Sequence, residues 1–413
     1  MWEQIRANRT RSIILVILMG LLLVLIGWFI GLVFASNGIA GLVVALIVWG
    51  IMTLVAYFQG DNILLSVAGA KKISPTDHQQ LYDVVEEMKI ASGLEKMPDI
   101  YIIDDPSLNA FATGRDPNHA AVSITSGLLQ KLNRDELQGV IGHEISHIKH
   151  RDVLLMSMCS VLLGTIVILS FYASRMMMFG AIFGGGGGGG GGRRGSRNNN
   201  GGGGGGAAII ILVFAILLAI LAPLFAQLIY FAISRKREYL ADASSALYTR
   251  YPEGLASALE KLEQSTTPVK NATQATAPMY IVNPFRNKMN VNNLTSTHPP
   301  LEERIRILRS MAGGASYANY DAAYRQVKHT GGIISPQTAA AAGTVGLRAA
   351  VAGGPVEPLA DDKVTRTRNV NDLMYRMNDY TVINCECGAK LKVPPSMQGS
   401  MIKCPRCGRP HQA

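Results

Sequence analysis

The chain has 413 residues, of which 48% are hydrophobic and only 16% are charged. Soluble domains carry about 25% charged residues, and residues 12–60 contain no Asp, Glu, Lys or Arg at all. This composition excludes a wholly soluble or secreted globular protein. Lys and Arg outnumber Asp and Glu by 39 to 29. That surplus suits a protein lying against an anionic lipid bilayer, and it does not require nucleic acid as a partner.

Four apolar stretches predict transmembrane helices, each of which needs about 20 residues. They cover residues 13–35, 39–58, 153–173 and 207–234. Three arginines precede the first stretch, and the turn after it is uncharged, so the positive-inside rule places the N-terminus in the cytoplasm. Two hairpins then leave residues 61–152 and all residues after 234 on the cytoplasmic side. Arg175 and three further arginines fall in the opposite loop, so a shallow or re-entrant second pair remains an alternative.

The remaining chain is predicted to be an α+β protein that is mainly helical, with a small sheet. Apolar residues at helical spacing predict a helix within residues 77–93, and short β-rich runs predict strands at 100–103 and 121–125. Asn133 is a typical N-cap for a helix over residues 134–150. Further helices are predicted at residues 235–248, 252–264 and 301–311.

A His143-Glu144-x-x-His147 motif lies on the helix that follows Asn133. Residues i and i+4 share one helical face, so both imidazoles can bind one Zn²⁺. Glu144 lies about 100° around the helix from His143, where it can act as a general base without being a ligand. The motif therefore predicts a catalytic zinc site of a zincin-like domain.

A third protein ligand is expected in the run of residues 234–242, SRKREYLAD. Glu238 and Asp242 are separated by one helical turn. Glu238 could bind the metal while Asp242 hydrogen-bonds a metal-binding imidazole. The alternative is a solvated charged helix next to a membrane span.

The last residues contain two cysteine pairs, Cys385-x-Cys387 and Cys404-x-x-Cys407, each followed by a glycine. Two such pairs predict a structural Cys₄ zinc ribbon, which a module of this size needs as a stabilising element. The first pair is one residue shorter than usual. Basic residues surround the pairs, which fits either an unknown binding partner or a solvated face.

Four motifs in this order resemble the HtpX-type membrane zinc proteases of bacteria and the wider family that includes the CAAX prenyl proteases. They are the segment NAFATG at residues 109–114, GHEISH, RKREYLAD and the segment THPPLEER at residues 297–304. The resemblance implies that His143, His147 and Glu238 bind zinc and that Glu144 is the base. It also implies location in the inner membrane, a stress response role and cleavage of misfolded or damaged membrane proteins.

Three further assignments complete the predicted site and its surroundings. His298 could stabilise the oxyanion, and the resemblance supports a site role for it together with Arg304; the alternative is an ordinary loop histidine. The run Asn109, Ala110, Phe111 and Ala112 could be an edge strand that pairs with a substrate peptide, or an ordinary buried loop. His150 is interpreted as a solvated residue at the end of its helix.

The predicted organisation has six parts. They are an N-terminal transmembrane hairpin (1–60), a catalytic part with the HExxH helix (61–152), two transmembrane helices with a glycine-rich loop (153–234), a catalytic part with the third ligand (235–312), a flexible linker (313–370) and the zinc ribbon (371–413).

The predicted metal site lies close to a membrane span. The third apolar stretch starts six residues after His147, which is roughly 9 Å of helix, so the site is expected at the membrane surface.

The sequence thus predicts an integral-membrane zinc endopeptidase with one catalytic and one structural Zn²⁺, acting on peptides or membrane proteins. Two alternatives remain at this stage. One is a non-catalytic membrane adaptor that zinc merely stabilises, and the other is a prenyl-peptide processing protease.

Overall fold

The computed structural model describes residues 2–35, 37–158, 160, 161, 164, 175, 235–273, 276–285, 298–311, 314–341, 346–348 and 363–412. The predicted glycine-rich loop, the predicted fourth span and most of the third lie outside the described residues. Four crossings are therefore a prediction that the structure does not test.

Two long helices form an N-terminal hairpin, α1 (Trp2–Ala35) and α2 (Gly38–Val67). Asn37 begins α2, because its side-chain oxygen accepts from the Ala40 N–H at 3.1 Å. The helices approach closely at Gly31, where an added Cβ would lie 2.7 Å from the Gly41 Cα. Within the described residues, α2 is the one helix long and apolar enough to cross a membrane. It continues to Val67, beyond the predicted end of the second span at residue 58.

A four-stranded sheet follows the hairpin. Its strands are β1 (Ala70–Lys72), β2 (Asp99–Ile103), β3 (Ala110–Asp116) and β4 (His119–Thr125), in the order β1-β2-β4-β3. β2 and β4 are parallel, and the other two pairs are antiparallel. Helix α3 (Gln79–Ser92) buries its apolar stripe in the core next to this sheet, as its periodicity predicts. β3 is an edge strand, which becomes important for the site.

The central helix α5 (Arg134–Lys149) follows the short helix α4 (Ser126–Lys131). Its N-terminus is a capping box, in which the Asn133 side chain accepts from the Glu136 N–H at 2.9 Å and the Glu136 carboxylate accepts from the Asn133 N–H at 2.8 Å. The predicted N-cap is therefore confirmed. Next come helical residues 152–158, which we call α6.

Three later helices share the buried core with α5. They are α7 (residues 235–249), α8 (Pro252–Gln264) and α9 (Leu301–Arg309). Gly139 lets α8 approach α5, since an added Cβ there would lie 2.6 Å from the Leu255 nitrogen. The apolar faces of α3, α5, α8 and α9 share one buried core with the sheet. That core fixes α5 relative to α7 and α9.

The predicted flexible linker at residues 313–370 is wrong over much of its length. Residues in that range form α10 (Tyr317–Lys328) and α11 (Pro336–Ala341). Tyr317, Tyr320 and Tyr324 are buried in the main core. Their spacing is helical and Ser316 caps the helix, signals that the Ala- and Gly-rich composition of the segment obscured.

The C-terminal module consists of a helix and two hairpins. Helix α12 (Lys363–Met377) precedes the hairpins β5–β6 (Thr381–Asn384, Lys390–Val393) and β7–β8 (Met401–Lys403, Pro410–Gln412). α12 crosses the predicted boundary at residue 371. It buries Val370, Leu373 and Met374 in the catalytic core, and Lys71 Nζ donates to the Met377 carbonyl at 2.7 Å. The module is thus attached to the catalytic part by packing, which corrects the prediction of a separate unit.

The capping box predicts a measurable contribution to stability. Asn133→Ala removes the acceptor for the Glu136 N–H and should lower the free energy of unfolding by about 1 kcal/mol. Thermal unfolding in detergent measures the loss. Asn133→Asp retains a capping oxygen and should stay near wild type; an equal loss in both variants would contradict the capping role.

Candidate metal centre

Three side chains from two helices converge in the core. His143 and His147 lie one turn apart on α5, and Glu238 lies on α7; all three are buried. The two Nε2 atoms are 3.2 Å apart. The Glu238 oxygens lie 3.5 Å from His143 Nε2 and 3.6 Å from His147 Nε2. The structure thus brings together the three predicted ligands of the catalytic metal.

Two buried aspartates determine which ring nitrogen of each imidazole carries the proton. Asp242 lies 3.0 Å from His143 Nδ1, and Asp152 lies 3.1 Å from His147 Nδ1. A carboxylate only accepts hydrogen bonds, so each neutral imidazole carries its proton on Nδ1 and its lone pair on Nε2. When both rings are neutral, the two lone pairs and the Glu238 carboxylate therefore point at one another, and a proton on His143 or a bound cation is needed to join them.

That arrangement fits a bound cation. Ligands at about 2.0–2.1 Å from a tetrahedral zinc lie about 3.3–3.4 Å from each other, close to the observed separations of 3.2, 3.5 and 3.6 Å. Glu238 Oε2 is also buried without a hydrogen bond. Two nitrogens and a carboxylate oxygen are the donor set of a catalytic zinc site, which leaves a fourth position open.

Each aspartate is held by an arginine. Arg304, on α9 and fully buried, donates to both oxygens of Asp242 from Nη2 and Nε at 2.7 and 2.8 Å. Arg237 Nη1 lies 3.6 Å from Asp152. The predicted positions of Asp242 and Arg304 near the site agree with this geometry, and their roles follow from it.

Asp152 and Arg237 are functional candidates that the sequence analysis missed. The sequence analysis gives no role in the site to Asp152, which directly precedes the third apolar stretch. It reaches back to His147 because α5 ends at Lys149 and Arg151 has a left-handed backbone with φ 60°. An acidic residue just after a predicted helix end was the signal that could have found it.

Glu238 and Asp242 are both ionised although both are buried. Burial favours the neutral form of Glu238, but His298 and His143 outweigh it and hold the pKa of Glu238 well below its usual range. Burial likewise opposes ionisation of Asp242, and Arg304 reverses that effect, so its pKa is lowered. Both carboxylates are thus ionised and suited to a cation and its imidazole ligands.

Glu144 differs from the other carboxylates. Burial raises its pKa, and the neighbouring histidines and the Ala112 N–H, which faces it, oppose the shift only in part. Neither of its oxygens has a hydrogen bond within the described structure. A buried carboxylate without partners is costly, and one adjacent to metal ligands is well placed to accept a proton.

His298 enters the site from the segment before α9. Its Nδ1 lies 3.3 Å from Glu238 Oε2, and the residue is buried. The structure therefore brings His298 to the metal ligands. His150, interpreted from sequence as solvated, is instead buried at the end of α5, and that burial lowers its pKa to about 4.

The predicted substrate strand lies beside the metal ligands. Ala110, Phe111 and Ala112 begin the edge strand β3, and Asn109 directly precedes it. All four are buried. Part of this edge is already paired, because the Ile281 N–H donates to the Ala110 carbonyl at 2.9 Å and the Asn109 amide donates to the Val282 carbonyl. The substrate role of this run stays a prediction.

The four C-terminal cysteines also converge. Cys385 and Cys407 sulfurs are 3.4 Å apart, and Cys387 and Cys404 sulfurs are 3.7 Å apart. All four could bind one ion. Four thiolates about 2.3 Å from one zinc lie about 3.8 Å apart, so the cluster fits a closed structural site in spite of its short first pair.

Comparison with known proteins identifies close relatives. Residues 75–312 match the group described as Peptidase family M48. The chain is similar to the "Protease HtpX homolog" of Dictyoglomus thermophilum, with 43% identity over 75% of this chain and 94% of that protein. The protein of the same name from Lactobacillus helveticus is 40% identical over 75% of this chain and all of that protein. The crystal structure of S. mikatae Ste24p aligns with 21% identity and a TM-score of 0.38, covering 75% of this chain and 67% of that chain.

Metal binding should depend on pH. In the metal-free protein, burial lowers the pKa of His143, but the hydrogen bonds to Asp242 and Glu238 outweigh it and raise that pKa to about 9. Below that value zinc must displace a proton, so its affinity should rise by about tenfold per pH unit up to pH 9. Competition titrations with a chelator measure this slope. A pH-independent affinity would contradict the proposed proton on His143.

The paired aspartates predict a second effect. Asp152→Asn removes the negative charge that orients His147 and should weaken zinc binding by about 10–100-fold. Asp99→Asn is a matched control, because Asp99 is exposed and its carboxylate pairs with Lys72 at 2.8 Å. Unchanged zinc affinity in Asp152→Asn would remove Asp152 from the site.

Proposed function

Because this chain belongs to peptidase family M48, we propose that it is an integral-membrane zinc endopeptidase whose reacting groups are those of the metal centre. Membership of the family makes the chain a membrane metalloprotease. The zinc identity, the residue roles, the substrates and the orientation in the membrane are our proposals.

The observation that carries the proposal is the contrast between Glu144 and its neighbours. His143, His147 and Glu238 have the geometry of a ligand set, whereas Glu144 is buried beside them with no hydrogen-bonding partner. A purely structural metal site has no use for such a carboxylate. A bound zinc would supply Lewis-acid chemistry, polarising the scissile carbonyl and acidifying the attacking water.

The chain's own residues supply the remaining steps. Glu144 accepts a proton from the attacking water at a carboxylate oxygen and delivers it to the nitrogen of the leaving amine. Burial raises the pKa of Glu144, which makes its carboxylate a stronger base towards the attacking water. His298, 3.3 Å from Glu238, is placed to donate an N–H to the oxyanion that develops on the substrate carbonyl.

Asp242 and Asp152 keep both metal-binding imidazoles in the tautomer with a free Nε2, and Arg304 keeps Asp242 in place. A substrate peptide would pair with β3 near Asn109, Ala110, Phe111 and Ala112 once the residues covering that edge withdraw. Backbone pairing of this kind accepts many sequences, which suits an enzyme that removes damaged proteins.

The physiological role we propose is cleavage of misfolded or damaged membrane proteins at the cytoplasmic surface of the inner membrane. The arginines before the first span and the paired, metal-binding spacing of the cysteines support that orientation. The Cys₄ cluster would hold a second, structural zinc that stabilises the C-terminal hairpins. Its partner, if the basic surface has one, need not be nucleic acid.

The family membership leaves the non-catalytic adaptor without support. Processing of prenylated peptides uses the same chemistry and remains the alternative for the substrate. Profiling with prenylated and unmodified peptides would separate the two.

Replacing the general base tests the chemistry directly. Glu144→Gln should keep the zinc content of the wild-type protein and lower the rate of peptide cleavage by about 10²–10⁴-fold or more. Metal analysis and cleavage of an unfolded protein in detergent measure the two quantities. Cleavage at the wild-type rate by the zinc-loaded variant would reject Glu144 as the base.

A further inference from the structure

The C-terminal module contacts the catalytic part beside a turn that leads to the metal centre. We propose that this module is a positioning clamp, which holds the turn of residues 104–109 in place and thereby keeps the metal centre aligned for cleavage. The clamp lies beyond residue 312, where the match to peptidase family M48 ends. The inference rests on the proposed function and adds a positioning element to it.

The clamp is attached at the end of strand β2. Asn378, directly after α12, donates from Nδ2 to the Asp104 carboxylate at 2.7 Å. Lys71 of β1 donates to the Asn378 side-chain oxygen at 2.7 Å. The Asn378 amide is therefore used on both sides, since its nitrogen donates and its oxygen accepts. These contacts fix the end of α12 against β1 and against the turn.

The residue after Asp104 organises the turn. Asp105 is buried, and its carboxylate accepts from the Ser107 N–H and from the Lys270 N–H, both at 2.8 Å. Its carbonyl accepts from the Gly127 N–H of α4 at 3.0 Å. A buried carboxylate is stable only with such partners. Asp105 thus joins the turn to α4 and to the chain around Lys270.

The other end of the turn leads to the metal centre. The Asn109 amide nitrogen donates to the Val282 carbonyl at 2.9 Å, and its amide oxygen accepts from the Val282 N–H at 3.4 Å. The neighbouring Ile281 carbonyl accepts from Arg304 Nη1 at 3.2 Å. Arg304 also holds the aspartate that orients a metal-binding imidazole.

Hydrogen bonds and short backbone steps therefore connect the clamp with the metal centre. The first part of the connection runs from Asn378 through Asp104 to Asn109. The second part runs from Asn109 through residues 281–282 to Arg304. A misplacement of about 1 Å at reacting groups can cost about 10²-fold in rate. Release of the clamp lowers cleavage without removing any metal ligand.

The hairpins hold α12 in its docked position. Lys392 of β6 donates to Asp372 of α12 at 2.7 Å, and its ammonium lies 4.0 Å from the centre of the Tyr375 ring. The hairpins share only a small buried cluster, which consists of Leu391 and two of the four cysteines. A core of that size needs the bound ion to fold. Occupancy of the Cys₄ cluster therefore controls the hold on α12.

The docking of α12 on the catalytic part is incomplete. α12 has 15 residues and buries the side chains of Val370, Leu373 and Met374. Beside them lies a cavity of about 720 Å³, lined by Lys131 of α4 and by Lys363 of α12. An isolated helix of this length is marginal in water. α12 therefore relies on the hairpins to stay docked, as a releasable clamp requires.

The first experiment exchanges the two partners of the clamp contact in the full chain. Asn378→Asp places a second carboxylate beside Asp104 and should lower kcat/KM for an unfolded protein substrate by about tenfold, mainly through kcat, with both zinc ions retained. Adding Asp104→Asn restores a carboxylate–amide pair with its roles reversed, so activity should return to within about twofold of wild type. Lys403→Gln, on the exposed surface of β7, is the matched control.

The second experiment does not depend on catalysis. Cys387→Ser combined with Cys404→Ser removes half of the Cys₄ cluster and should leave zinc at the histidine site alone. Hydrogen exchange of the Ser107 and Lys270 amides, both bonded to Asp105, should then become at least about tenfold faster. Exchange within α8, which has no part in the connection, should stay unchanged.

Wild-type kcat/KM in Asn378→Asp, or no recovery in the double variant, would overturn the clamp. Unchanged exchange at both amides after loss of the Cys₄ zinc would overturn it as well. A wild-type chain that carries both zinc ions and cleaves nothing would instead reject the proposed function. The two failures are distinguishable, because the exchange measurement tests the clamp without catalysis.

Discussion

The structure depends on one electrostatic constraint, the mutual approach of two imidazole lone pairs and a carboxylate in a buried site. Asp242 and Asp152 each occupy the Nδ1 side of one histidine, so the Nε2 atoms, 3.2 Å apart, have no proton to share when both rings are neutral. Such a cluster of acceptors is unfavourable in the protein interior unless a cation joins it. The helices that carry these residues are accordingly tied together by buried ion pairs and by a shared core.

This constraint explains why four separate segments must fold together. α5 supplies the histidines, α7 supplies Glu238 and Asp242, α9 supplies Arg304, and the turn after α5 supplies Asp152. Each arginine–aspartate–histidine chain crosses between elements, so no single segment can form the site alone. The position of Asp152 at the start of α6, and of β3 against α2, connects the same site to the part of the chain that meets the membrane.

Much of this arrangement could be predicted from sequence because it follows local rules. The Asn133 cap, the helical periodicity of α3 and the HExxH spacing are signals within one or two turns, and the structure agrees with them. Glu238 and Asp242 could be proposed together because i,i+4 residues share a helical face. The family resemblance added their connection to His143 and His147, which lie about a hundred residues away along the chain.

The errors arose where tertiary packing overrides composition. α10 and α11 lie in an Ala- and Gly-rich segment that looks like a linker, yet three tyrosines give α10 an apolar face for the core. His150 is polar and near a helix end, but the chain reversal at Arg151 buries it. Asp152 could not be assigned to His147 without that same reversal, because its spacing of five residues does not fit a continuous helical face.

The most direct test of the central claim is anomalous diffraction at the zinc edge from crystals of the full protein, with the Cys₄ cluster as an internal reference. The account predicts a peak between His143, His147 and Glu238, in addition to a peak among Cys385, Cys387, Cys404 and Cys407. A peak at the cysteines with none at the histidines, in zinc-saturated protein that still cleaves peptides, would contradict it.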